Sequence, residues 1–274
     1  MTSHDENHPA AVPVQDPPVD WPPKLDLFGV QVSATDYRQA VEAILGAAEG
    51  RVPSQVSLHA VHALITASTD PELRRKVNFF QMIAPDGQPV RWALNLLYGT
   101  GLRERVYGPE LMLRLCQQAA IRGVPVYLYG SSPEVLERLQ ANLLAKYPGL
   151  AIAGAESPPF RPLSAGESED TIRRINDSGA GIVFVGLGAP KQDHFAYDHG
   201  SRIRAVQVCV GAAFDFHAGA KPMAPRWMQR WGLEWLYRLI HEPGRLWHRY
   251  LVTNTVFLAK LAREVLRRKF VRYP

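Results

Sequence analysis

The side chains of this 274-residue chain best placed to do chemistry lie in four loops and one basic tail. Gly186-Leu187-Gly188-Ala189-Pro190-Lys191-Gln192-Asp193 follows an apolar run and begins like a dinucleotide fingerprint. Lys191, however, stands where the third glycine of G-x-G-x-x-G belongs. A glycine turn that carries Lys191 and Gln192 into a first helical turn suits a nucleotide or a sugar better than a core. In Tyr129-Gly130-Ser131-Ser132-Pro133, Gly130 permits close backbone approach, Ser132 can cap a helix and Pro133 suits its first position. Free amides there would accept a phosphate, or the segment is a plain strand-to-helix turn. Asp215, between Phe214 and Phe216, either faces the same cleft or binds its own loop amides. Asp86, in Ala84-Pro85-Asp86-Gly87, is a helix N-cap or a site carboxylate, and its immediate neighbours leave both open.

These loops need strands and helices to converge. Apolar runs at 55–58, 79–84, 124–129, 150–153, 182–185 and 205–210 alternate with helical patterns near 36–48, 60–76, 88–98, 109–122, 133–146, 167–178 and 190–199. Strand then helix, repeated with short connections, predicts an α/β fold: a Rossmann-like, mostly parallel sheet flanked by helices. Ligands of such sheets gather at the carboxyl ends of the strands, where all four loops fall. The runs after residue 120 are nearly uninterrupted, as for strands buried on both faces. Three regions result: a Pro-rich arm at 1–24 expected to be disordered, an α/β core at 25–221, and a helical basic appendage at 222–274. The arm has six prolines and no apolar run fit for a signal peptide.

Composition narrows the function classes. Cys116 and Cys209 exclude a disulfide scaffold and a cysteine-based zinc site, and fit a reducing compartment. No apolar stretch reaches the roughly 18 residues a membrane span needs. The net charge of +5 is unevenly spread. Residues 221–274 hold 12 Lys and Arg against 3 Asp and Glu, while the rest of the chain holds 19 against 23. Four of six tryptophans, Trp227, Trp231, Trp235 and Trp247, lie in the basic end. An anionic partner met by one end follows from that asymmetry. Drawn as one helix over 244–270 at about 100° per residue, Arg245, Arg249, Lys260, Arg263 and Arg267 fall within roughly 60° of one another. Leu246, Tyr250, Phe257, Leu261 and Val265 occupy the adjacent face, so the helix suits an anionic bilayer surface or packs its apolar face on the domain.

An ordered series of motifs carries a family resemblance. Pro85-Asp86-Gly87 is followed by Glu104-Arg105-Val106-Tyr107-Gly108, Tyr129-Gly130-Ser131, Gly186 to Gln192, and Gly211-Ala212-Ala213-Phe214-Asp215-Phe216. Gly232-Leu233-Glu234-Trp235-Leu236-Tyr237-Arg238-Leu239 comes next, then Glu242-Pro243, Arg245, Arg249 and Tyr250. Over about residues 26–252 the series resembles the WecG/TagA/CpsF glycosyltransferases, glycosyltransferase family 26. The resemblance implies inverting transfer of a hexosyl unit from a UDP-sugar to a polyprenyl-diphosphate-linked saccharide. The products would be exopolysaccharide, wall polymer or common antigen. The location would be cytoplasmic, peripheral on the inner face of the bacterial cytoplasmic membrane, with no nucleic acid partner and no cofactor.

The same resemblance assigns the roles. Asp86 would be the general base for the acceptor hydroxyl. Arg105, Arg238, Arg245 and Arg249 would balance the charge growing on departing UDP. Gln192 would contact donor or acceptor, and Gly130, Ser131, Gly186, Gly188, Lys191 and Asp215 would line the nucleotide cleft. No Asp-x-Asp is present, and Glu167-Ser168-Glu169-Asp170 reads as a solvated helical turn, so catalysis is expected to be metal-independent. The family's Thr-x-Asn is here Ser57-Leu58-His59. Ser57 keeps the hydroxyl for substrate, and His59 replaces an amide, which leaves sugar preference open and offers a second role assisting Asp86. His62 pairs with His59 at i and i+3 without a third metal ligand nearby, and His194 and His199 read as surface helix residues. Two rival classes stand beside this one. A dinucleotide-dependent oxidoreductase lacks its third glycine, and a non-catalytic anion- or membrane-binding protein would use the tail alone.

Overall fold

The computed structural model describes residues 19–271, without the side chains of Arg226, Arg245 and residues 269–271. Lys24–Leu27 (β1) and Val30–Ser33 (β2) form an antiparallel hairpin, followed by Tyr37–Glu49 (α1), Ser54–His59 (β3), Val61–Thr69 (α2), Pro71–Asn78 (α3) and Met82–Pro85 (β4). Gln88–Tyr98 (α4), Gly108–Arg122 (α5), Val126–Gly130 (β5), Pro133–Lys146 (α6), Ile152–Glu156 (β6) and Ala165–Asp177 (α7) come next. Ile182–Gly186 (β7), Lys191–Asp198 (α8), Val206–Cys209 (β8) and Ala213–His217 (α9) complete the alternation. Arg226–Arg230 (α10), Glu234–His241 (α11) and Pro243–Val271 (α12) are helical to the end.

Strands β3 to β8 form one all-parallel sheet in the order β4-β3-β8-β7-β5-β6. Because every strand runs the same way, all carboxyl ends open on one edge. The period-2 alternation sorts side chains into two cores. Val126, Leu128, Ile182 and Phe184 face α1, α5, α6 and α9. Tyr127, Tyr129, Val183 and Val185 face the side that carries the hairpin, α2, α3, α4, α7 and α8. As expected, β5 and β8 are buried throughout and β7 nearly so; of the two edge strands, β4 is buried under the hairpin strand β2 while β6 is only half-buried.

The structure refines several expectations. The helix expected over 60–76 is two, because Asp70 accepts from the Glu72 and Leu73 amides (2.9 and 3.1 Å) and Pro71 starts a new helix. Phe79 and Phe80 end α3, so the strand expected from 79 begins at Met82. The hairpin was not foreseen. Phe28 and Gly29, both at positive φ (61° and 88°), make its two-residue turn. Residues 19–24 are not a free arm. Val19 and Trp21 pack on the core and Lys24 opens β1, while residues 1–18 lie outside the described residues.

The 29 residues of α12 make one helix about 43 Å long. Its face bearing Leu246 and Phe257 is buried, with Phe257 edge-on to Phe28 at 5.6 Å, so the apolar stripe packs on the domain. A second stripe, Trp247, Leu251 and Leu258 at i, i+4 and i+11, is exposed. Among the described residues no helix is long and apolar enough to cross a membrane.

Candidate active site

Asp86 directly follows β4, and its carboxyl is not used as a cap. Gly87 is the N-cap of α4 and no side chain bonds that helix end. The Asp86 amide donates to the His59 carbonyl (3.2 Å), and Val106 donates to the Pro85 carbonyl (3.0 Å). That second bond draws the segment carrying Arg105, Tyr107 and Gly108 alongside β4. The Asp86 carboxyl faces the Gly108 amide, which favours its charged form, yet it is pushed up to about 7. Burial is the main cause, opposed by Arg105 and reinforced by Glu234.

Glu234, from α11 of the appendage, completes this corner. Arg105 Nη2 lies 2.5 Å from Glu234 Oε2, and Tyr107 Oη donates to Glu234 Oε1 at 2.8 Å. The guanidinium sits 4.3 Å from the Tyr107 ring centroid. The appendage reaches this position because the turn before α11 rests on α4, with Gln88 Nε2 donating to the Arg230 carbonyl at 3.3 Å. A Cβ at Gly232 would lie 3.1 Å from Gln88 Cβ.

The glycine loops form the opposite wall. Gly130 and Gly186 end neighbouring strands in register, and a Cβ on Gly130 would fall 2.7 Å from the Gly186 backbone. A Cβ on Gly186 would fall 2.6 Å from the Phe214 ring, so both glycines are set by packing. Gly188 is different: φ is +76° with nothing within 4 Å, so its backbone faces open space. Ser132 caps α6 as expected, accepting from Val135 at 3.4 Å. Ser131 Oγ is left to meet Asp215 Oδ1 at 3.3 Å, and Asp215 also pairs with Lys221 at 2.6 Å.

Ser57 and His59 lie beneath the cleft rather than on it. Both are buried around Asp193, which accepts from Ser57 Oγ at 2.6 Å and stands 3.7 Å from His59 Nε2. Neither His59 ring nitrogen has a hydrogen-bond partner. Gln192 is also buried, yet it lines the cleft with its Oε1 unpartnered, while Lys191 stands exposed on the rim. Three other histidines line the cleft, His62, His194 and His199, of which His62 sits in the first turn of α2. Burial, then Arg249 and Arg238, push His62 down to about 4, so it is neutral.

All these walls enclose one cleft of about 1790 Å³ at the carboxyl edge of the sheet. Asp86, Arg105, Ser131, Gly186, Gly188, Lys191, Gln192, Asp215, Arg238 and Arg249 line it; Gly130, Ser57 and His59 support it from behind. Arg245 falls within α12, and its side chain is outside the described residues. At the far end Ser168 Oγ and His199 Nε2 are 2.6 Å apart, and His194 and His199, expected on the helix surface, both line the cleft. Glu234, Tyr107, Asp193 and His62 had no role assigned from sequence. Glu234 and Tyr107 stand inside the motif series, Asp193 closes the Gly186 loop and His62 follows His59 at i+3, but none of these placements shows what the side chain touches. Among the described residues no three His, Cys, Asp or Glu side chains group to hold a metal ion.

A family model described as the glycosyl transferase WecG/TagA/CpsF family matches residues 25–271. The chain belongs to this family. WecG/TagA/CpsF membership makes it a glycosyltransferase of cell-surface polysaccharide synthesis, whose general reactants are a sugar donor and a lipid-linked acceptor. The oxidoreductase and the non-catalytic binder give way to it. The same match extends through α12, so the appendage belongs to the WecG/TagA/CpsF unit and is not a foreign extension.

Proposed function

We propose that the protein moves a hexosyl unit from a UDP-sugar to a polyprenyl-diphosphate-linked saccharide, with inversion at the anomeric carbon. The arrangement that carries this reading is Asp86, a partly buried carboxyl that desolvation pushes up to about 7, lining a cleft whose other walls bear glycine-loop backbone and arginines. The nucleotide would lie along Gly188 and Ser131, with Lys191 and Asp215 at its edges. Gln192 Oε1, buried and without a partner, would accept from a sugar hydroxyl.

In the reaction, an acceptor hydroxyl oxygen attacks the anomeric carbon from the face opposite UDP. Its proton passes to Asp86, the new glycosidic bond forms, and the bond to the UDP oxygen breaks. A base with a pKa near the working pH is strong enough to take the proton and is about half ionised there. Departing UDP gains negative charge, which Arg238 and Arg249 on the appendage wall and Arg105 beside Asp86 would offset. Fixed cations in those places support catalysis without a metal.

The acceptor lipid has to reach Asp86 from a bilayer, and the appendage suits that surface. Trp227, Trp231 and Trp247 are exposed, with Leu251 and Leu258 beside Trp247 on α12 and the cations Arg263 and Arg267 on another arc of the same helix. At about 100° per residue Arg263 and Arg267 fall on the side of α12 opposite Trp247, Leu251 and Leu258, so the exposed aromatic and leucine side chains, rather than these arginines, would meet the inner face of the cytoplasmic membrane. A screen of UDP-sugars with membrane-extracted lipid acceptor, reading UDP release, tests the assignment. Release with one donor and only in the presence of acceptor is the expected result; release with none rejects the UDP-sugar donor.

A further inference from the structure

Glu234 belongs to the appendage, yet both of its carboxylate oxygens are committed to the core, one to Arg105 and one to Tyr107. The Arg105 and Glu234 side chains are 11% and 13% exposed, so this is a nearly dry pair. Asp86 is the second carboxylate acting on the same guanidinium. The other groups that face Asp86 are Tyr37 from α1, Tyr107 and the Gly108 amide at the start of α5, and Arg238 from α11. Arg105 is therefore one buried cation between two carboxylates, bonded in this structure to the one that is not the base.

We propose that Glu234 is a positioning residue that keeps the base free: by holding the Arg105 guanidinium against Tyr107, the docked appendage prevents it from closing on Asp86. A nearly buried guanidinium cannot stay unpaired, because uncompensated burial of charge is costly. Without Glu234 the carboxylate left acting on it is Asp86. A direct ion pair there lowers a carboxyl by about 1 to 3 pH units and occupies the oxygens that must take the acceptor proton. Seating of α11 thus sets whether Asp86 can act, through a contact 129 residues from Arg105 in sequence. This inference rests on Asp86 being the base and adds how that base is kept available.

Removing the Glu234 charge lowers Asp86 through space even if Arg105 never moves, so one variant is not enough. The test is a double-mutant cycle on the Asp86 titration midpoint. The full chain is labelled with carbon-13 at aspartate carboxyls, and the Asp86 signal is identified by its loss in Asp86→Asn. Midpoints are then read in the native chain, Glu234→Gln, Arg105→Gln and the double variant. If Arg105 closes on Asp86, removing Arg105 raises the midpoint by at least one pH unit more in the Glu234→Gln background than in the native one. Equal shifts in the two backgrounds overturn the proposal. Tyr107→Phe, which removes only the second anchor of Glu234, gives the same sign with a smaller shift and carries the test should Glu234→Gln fail to fold. An unchanged or raised midpoint in Tyr107→Phe also overturns it. The titration needs no donor, so failure of every UDP-sugar to react rejects the donor assignment while this result stands on its own.

Discussion

Ser57 Oγ donates to Asp193 Oδ1 at 2.6 Å in a fully buried site. A hydroxyl expected to touch substrate instead holds a carboxylate that follows Gln192 in the first turn of α8. Ser57→Ala would leave Asp193 buried with one fewer donor, at a cost of about 1 to 3 kcal/mol. Urea unfolding should show that loss, and calorimetric titration should show UDP affinity changed by less than a few-fold. A large loss of UDP affinity with unchanged stability would return Ser57 to the cleft.

The elevated carboxyl of Asp86 fixes the sign of two pH effects. As a base it must be ionised, so turnover should rise through a midpoint near pH 7 and fall about tenfold per unit well below it. A rate independent of pH between 5 and 8 would argue against the role.

Stability runs the other way. Asp86 has its folded pKa raised from 3.8 to about 7, so between these values the native state binds more protons than the unfolded chain. Its contribution is fully present below about pH 4 and is lost as pH rises through 7. Asp86→Asn, which cannot ionise, should therefore raise Tm at pH 8 and lose that advantage towards pH 4. Differential scanning calorimetry at the two pH values reads the difference; equal gains at both would mean burial is not what raises the group.

The appendage gives a prediction separable from catalysis. Trp227, Trp231 and Trp247 are well exposed, so replacing all three with Ala should leave the fold and UDP affinity nearly intact. Sedimentation with phosphatidylglycerol vesicles should fall roughly tenfold or more, because interfacial anchoring scales with the apolar area removed. Undiminished sedimentation would place the membrane contact elsewhere.

Periodicity made most of the fold legible. Continuous apolar runs identified the parallel strands, and Ser132-Pro133 marked the start of α6. What it missed has physical causes. The Asp70–Pro71 break lies inside a continuous helical pattern, and the β1–β2 hairpin turns on Phe28, which must adopt a positive φ uncommon for a bulky residue. In the site, the motif series brought Asp86, Arg105, Gln192 and Arg238 to one cleft. It could not separate a residue that lines the cleft from one that braces it. Ser57 and His59 alternate along β3 and looked equivalent to cleft residues, but Asp193, far away in sequence, draws both inward. Glu234 was visible as a letter in a motif, while its partner Arg105 could only be assigned once α11 was seen resting on α4.

The central claim is that Asp86 takes the acceptor proton. Its most direct test is the rate of UDP release coupled to transfer onto a polyprenyl-diphosphate-linked acceptor at pH 8, native chain against Asp86→Asn. The base assignment predicts a loss of roughly a hundredfold to ten-thousandfold, with UDP affinity held within a few-fold. Near-native transfer by Asp86→Asn would contradict it.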